Sequence, residues 1–187
     1  MSSGSTTAAV VADGIVYVGT YSSGLYAFGA SGTTNCSTAT TLKTCQPLWT
    51  AAVNANALAV ANGVVYAATN GGLAALDAAV PGNCPGTGAI KTCSISSLWT
   101  SAGSTYVNSG PWLTVANGVV YVTTSGGGID GYDAAGSQTC SVSGTAKTCT
   151  PLWQDVPGYT SGGSSAVVNG VLFVSAPGSG DVYAFSS

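Results

Sequence analysis

The residues of this chain that could do chemistry are few, and they fall at repeated places. Six cysteines form three sets with eight residues between members: Cys36 and Cys45, Cys84 and Cys93, Cys140 and Cys149. Thiols so spaced could close disulfides or hold zinc. A zinc site would want histidine or a tight Cys-x-x-Cys, and the chain has neither. The same interval at the same place in three repeats makes local pairing the simplest connectivity. Each bridge would close a short loop, worth roughly 2–3 kcal/mol at most in chain entropy. Three such bridges place the protein in an oxidising compartment: extracellular, cell surface or periplasmic.

The acids are all aspartate: Asp13, Asp77, Asp130, Asp133, Asp155 and Asp181. Without histidine there is no Ser-His-Asp or Cys-His arrangement and no imidazole metal ligand. Two aspartates could hydrolyse a glycoside. Asp77 and Asp133, however, sit at equivalent places in different units, just after a third strand, where a carboxylate closing a turn onto backbone N–H groups is expected. Asp130 and Asp181 lie within or just before a third strand. They read either as edge charges that discourage strand addition or as polar channel positions. Lys43, Lys91 and Lys147 each stand two residues before the second cysteine of a set. The expectation is a solvated amine near its own loop's carbonyls; the sharper alternative is three cations that dock a partner's acids.

Charge is scarce. Charged residues make up 5% of the chain, against about 25% in an ordinary soluble domain. Three cations and a net charge of −3 argue against nucleic acid as a partner. No run approaches the roughly 18 apolar residues of a spanning helix, so no membrane insertion is expected. Residues Met1–Ser5 have neither the basic region nor the apolar core of a signal peptide. The polar surface must be hydroxyls and amides, which offer little repulsion against self-association through blade faces.

The elements that must position these residues are written four times. Asp13-Gly14, Asn62-Gly63, Asn117-Gly118 and Asn169-Gly170 each join two β-rich runs. Both residues of such a pair accept the positive φ of a type I′ turn, so each copy predicts a tight hairpin. The turn glycines lie 49, 55 and 52 residues apart. After each hairpin come a turn and a third strand; in three units a cysteine loop and a Leu-Trp strand follow. That period, with four short strands per unit, predicts an all-β chain. Its fold is a β-propeller of four blade-like repeats, either closed as a small propeller or forming half of an eight-bladed ring. Residues 1–6 read as a tail and 7–187 as one domain, with units at 7–50, 51–100, 101–154 and 155–187.

Val115–Val122, with Gly24–Phe28 or Leu73–Ala79 after the equivalent hairpins and Leu48–Thr50 in the outer strand, resembles the repeat of PQQ-type, quinoprotein dehydrogenase-like β-propellers. The resemblance implies blades of four antiparallel strands, with Trp49, Trp99 and Trp153 packed between neighbouring blades. It does not carry the enzymes' chemistry here. Those enzymes use an adjacent Cys-Cys pair and a metal site with glutamate, and their quinone's carboxylates want arginine; this chain has none of the three. No catalytic residue, cofactor or metal is therefore expected.

Strand parity puts the Asn-Gly turns and cysteine loops at one end of the blades. The second-to-third turns and blade-to-blade links fall at the other. This second end holds Tyr21, Asn54, Asn56, Asn70, Tyr106, Asn108, Trp112 and Tyr159. Tyr21, Asn70, Tyr106, Trp112 and Tyr159 form a candidate ligand face, because aromatic rings beside amides suit sugar stacking or protein docking. The function expected is a non-catalytic extracellular binding or scaffold module for a glycan or protein. The alternative is a structural subunit of a cell-surface or extracellular assembly.

Overall fold

The computed structural model describes residues 9–38, 42–79, 93–102, 112–124, 128–155, 163–176 and 178–186. They form only strands, turns and irregular segments. Blade one holds β1 (Val10–Ala12), β2 (Ile15–Thr20), β3 (Gly24–Gly29) and β4 (Trp49–Ala51). Blade two holds β5 (Ala57–Ala61), β6 (Val64–Thr69), β7 (Gly72–Asp77) and, preceded by the short β8 (Cys93–Ile95), the outer strand β9 (Ser97–Ser101). Blade three holds β10 (Leu113–Ala116), β11 (Val119–Thr123) and β12 (Ile129–Asp133). A hairpin of β13 (Cys140–Ser143) and β14 (Ala146–Cys149) then precedes its outer strand β15 (Trp153–Asp155). Blade four has β16 (Ser165–Val168), β17 (Val171–Ala176) and β18 (Asp181–Ser186).

The four hairpin turns form as their residue types require. Asp13, Asn62, Asn117 and Asn169 have φ of 48°, 51°, 52° and 49°, and the glycine after each lies between 73° and 77°. Two consecutive left-handed residues match the twist of the flanking strands. Each turn fixes the same register: Ala12 faces Ile15, Ala61 faces Val64, Ala116 faces Val119 and Val168 faces Val171.

A fixed register sorts side chains onto two faces of each blade. One face looks back along the chain. In blade two it carries Val65, Ala67, Ala74 and Leu76, packed with Tyr17, Leu25, Ala27 and Trp49 of blade one. The other looks forward: Tyr66, Leu73, Ala75 and Trp99 of blade two pack with Val120, Val122 and Tyr132 of blade three. Tyr121 and Ile129 of blade three pack in the same way with Leu172 and Val174 of blade four. The outer-strand tryptophans lie at these seams as expected. Their ring centroids stand 5.8 Å from Tyr17, 6.2 Å from Tyr66 and 6.0 Å from Tyr121, for Trp49, Trp99 and Trp153 respectively.

The blades pack in chain order, and among the described residues the run does not close on itself. Val11 of blade one and Phe173 and Val182 of blade four remain exposed at its two ends. Of the two arrangements expected from the repeats, the described residues do not form the closed four-bladed ring.

The cysteine loops do more than hang from one end. β14 of unit three pairs in parallel with β9 of blade two, Thr148 opposite Thr100 and Cys149 opposite Ser101. β8 of unit two pairs likewise with β4 of blade one. Each of these segments extends the sheet of the preceding blade, so it ties two blades by backbone hydrogen bonds as well as by packing.

Candidate functional site

Two of the expected disulfides lie among the described residues, Cys36–Cys45 and Cys140–Cys149. In each, the two cysteines face one another across an antiparallel pair. Cys84 lies outside the described residues; Cys93 begins β8. Lys43 donates from Nζ to the Gly32 carbonyl at 3.0 Å, an amine on its own loop's backbone. Lys91 lies outside the described residues.

Three of the aspartates bond within their own blades. Asp77 Oδ1 accepts the Ala79 N–H at 2.9 Å. Asp133 accepts from the backbone of Ala135, Ser137 and Gln138 and from the Ser137 hydroxyl, the shortest at 2.6 Å. Burial alone would push the Asp133 carboxyl up. The hydroxyl and the three backbone N–H groups favour its ionised form and hold it below the ordinary carboxylate range. Asp130 is not an edge charge, because β12 lies between β11 and β15. It is buried on the back face of blade three, where Gln154 Nε2 donates to its Oδ1 at 2.9 Å. Asp181, at the start of β18, is exposed.

The end with the second-to-third turns holds a depression of about 480 Å³ on the back face of blade two. Its walls come from three places. The link after blade one supplies Val53 and Asn54, the β6–β7 turn supplies Thr69 and Asn70, and β9 supplies Ser97, Thr100 and Ser101. The walls are held in place by hydrogen bonds. Ala55 N donates to the Thr20 carbonyl at 3.0 Å, which seats the link against blade one's turn beside Tyr21. Asn56 Nδ2 donates to Asn70 Oδ1 at 2.7 Å and joins link to turn. Ser101 Oγ accepts the Leu73 N–H at 2.7 Å and fixes the outer strand.

The depression exists because position 74 is alanine. Ala74 pairs with Ala67 on β6 and Thr100 on β9. At the same register blade one has Tyr26, blade three Asp130 and blade four Tyr183. A methyl group in place of a longer side chain leaves room above Thr100.

The candidate face is thus only partly assembled. Asn70 lines the depression. Tyr21 is exposed on the neighbouring turn, and Trp112 is exposed at the start of blade three, but neither is among the lining residues. Tyr106 and Tyr159 lie outside the described residues. The sequence reading missed Ser97, Thr100 and Ser101. Their signal was a small residue at one register position opposite an outer strand of hydroxyls, which shows only once the blades are aligned.

No family model and no characterised protein matches the chain in sequence. Solved structures match it in fold. The chain is similar to the computationally designed Ika4 protein, with a TM-score of 0.66 and 13% identity over 100% of this chain and 93% of that one. It is similar to BamB from Moraxella catarrhalis, with a TM-score of 0.65 and 12% identity over 97% of this chain. It is also similar to the computationally designed Ika8 protein, with a TM-score of 0.64 and 13% identity. The chain spans less than half of the last two, 44% of BamB and 46% of Ika8. These likenesses place the fold among the β-propellers.

Proposed function

We propose that the chain is a non-catalytic, exported binding module, a relative of the quinoprotein-type propellers without their chemistry. Its ligand, an uncharged glycan or protein segment, sits in the depression on blade two. The observation that carries this reading is the lining. Amides and hydroxyls of Asn54, Asn70, Ser97, Thr100 and Ser101 surround the small Ala74, and no charged side chain is among the lining residues. Such a surface offers hydrogen bonds to hydroxyls and amides and no counter-charge to a phosphate or carboxylate. Among these ligands a neutral oligosaccharide fits best, because its hydroxyls match the walls and Tyr21 on the next turn offers a ring for stacking. Two disulfides support an oxidising compartment. The absence of histidine, glutamate and arginine supports a role without catalysis.

The test is retention of neutral oligosaccharides and uncharged peptides by the oxidised protein. Ala74→Tyr, which puts into blade two the side chain that blades one and four carry, should weaken retention tenfold or more. Tyr21→Ala should weaken it while leaving the fold intact. Equal retention by all three proteins would sink the reading.

A further inference from the structure

The seam between blades is written three times in this chain, and half of it is written a fourth time at each end. On the forward faces, the second-strand aromatics Tyr17, Tyr66 and Tyr121 are 2% exposed or less, each covered by the next blade; their equivalent in blade four, Phe173, is 37% exposed. The third-strand residues Leu25, Leu73 and Ile129 are 1% exposed or less; their equivalent, Val182, is 67% exposed. On the back faces, Val65, Val120 and Leu172 are fully buried against the preceding blade. Their equivalent in blade one, Val16, is only half-buried, and Val11 beside it is 64% exposed.

We propose that a second copy of this chain covers both faces, blade four of each copy seating on blade one of the other. The occupant is argued from the internal seams. Each joins a forward face of aromatic and branched aliphatic side chains to a back face of valine, leucine and aromatic side chains. Blade four's forward face offers Phe173 and Val182, and blade one's back face offers Val16, Val18, Tyr26 and Phe28. The two exposed faces are therefore the two halves of a contact the fold already makes. Neither of these sets holds a charged residue, so nothing electrostatic opposes mating. The contact is heterologous and must either close a ring or run on as a filament. With four blades in each copy, two copies joined at both contacts make the eight-bladed ring that the repeats allow.

The experiment is light scattering of the oxidised chain over a dilution series, with two variants. The account expects twice the chain's 18.1 kDa, and at least tenfold weaker association for Val16→Asp and for Val182→Asp separately. Both substitutions fall outside the chain's own seams, so circular dichroism of each variant should match the parent. A mass of one chain at all concentrations overturns the proposal, as does a mass that grows without limit. A dimer broken by only one of the two variants overturns it too, because a symmetric contact of like faces would need only one of them.

Discussion

Tyr66 donates its hydroxyl to the backbone carbonyl of Ala134 at 3.0 Å, across a seam between residues 68 positions apart. Tyr17 does the same to Ala78 at 3.2 Å. Each tyrosine is the residue two places after its hairpin glycine's neighbour, and each acceptor directly follows the aspartate that ends the next blade's third strand. The ring fills the seam and the hydroxyl locks it. Tyr121 fills the third seam, but its buried hydroxyl has no partner among the described residues; the equivalent carbonyl belongs to position 187, outside them.

That contrast makes a paired prediction. Tyr66→Phe keeps the ring and removes a buried hydrogen bond, which should cost about 1 kcal/mol. Tyr121→Phe removes no hydrogen bond to the described residues and should cost less. Chemical denaturation of the two variants against the parent decides it; equal losses would remove the hydroxyl from the account of the seam.

The same tyrosines set an alkaline limit. Burial, then the Asp133 charge, raises the Tyr66 phenol above its ordinary value; burial, with Asp13 and Asp77, raises Tyr17. A phenol whose folded value lies above its unfolded one stabilises the protein fully below about pH 10. That contribution is lost as pH rises through the folded value. Stability should therefore fall on the alkaline side of pH 10, and ionisation of Tyr17 and Tyr66 should appear in step with unfolding. Full titration of every tyrosine without loss of structure would contradict this.

Asp133 sets the acid limit. Its carboxyl lies below the unfolded value, so its contribution is present above about pH 4 and lost as pH falls through the folded value. Asp133→Ala removes a carboxylate that receives four hydrogen bonds at a buried turn, and should cost about 2–3 kcal/mol. Asp77→Ala removes an exposed acceptor of one such bond and should cost less. Urea midpoints at neutral pH test the difference, which should shrink in acid.

Gly136 and Gly144 separate backbone from packing. Their φ values are 62° and 61°, so alanine at either meets the same left-handed penalty, about 1–2 kcal/mol. A Cβ at Gly144 meets nothing, whereas at Gly136 it would overlap the Trp99 indole. Gly136→Ala should therefore lose about 1–3 kcal/mol more than Gly144→Ala. Matching thermal midpoints would mean that Trp99 is not seated on that glycine.

Much of this fold was legible in the sequence because its strongest signals are local. Asn62-Gly63 and its three counterparts fix turn type, register and period within a few residues, and Trp99 marks the outer strand. The pairing of β14 on β9 was not legible. Ala146–Cys149 is too short to show a period, and nothing in it names a strand from the previous unit as its partner. The buried Asp130 was misread because its partner, Gln154, comes from a strand across the cysteine hairpin. The depression was half legible: Asn70 stood out as a turn amide, whereas Thr100 and Ser101 matter only because Ala74 opposite them is small.

The measurement that bears most directly on the proposed role is an amide-shift map of the oxidised protein during titration with neutral oligosaccharides. Shifts gathered on Asn54, Asn70, Thr100 and Ser101, saturating with ligand and absent in Ala74→Tyr, are the predicted result. A saturating response centred on another part of the surface, or none at any residue up to millimolar ligand, would contradict the assignment of this depression as the binding site.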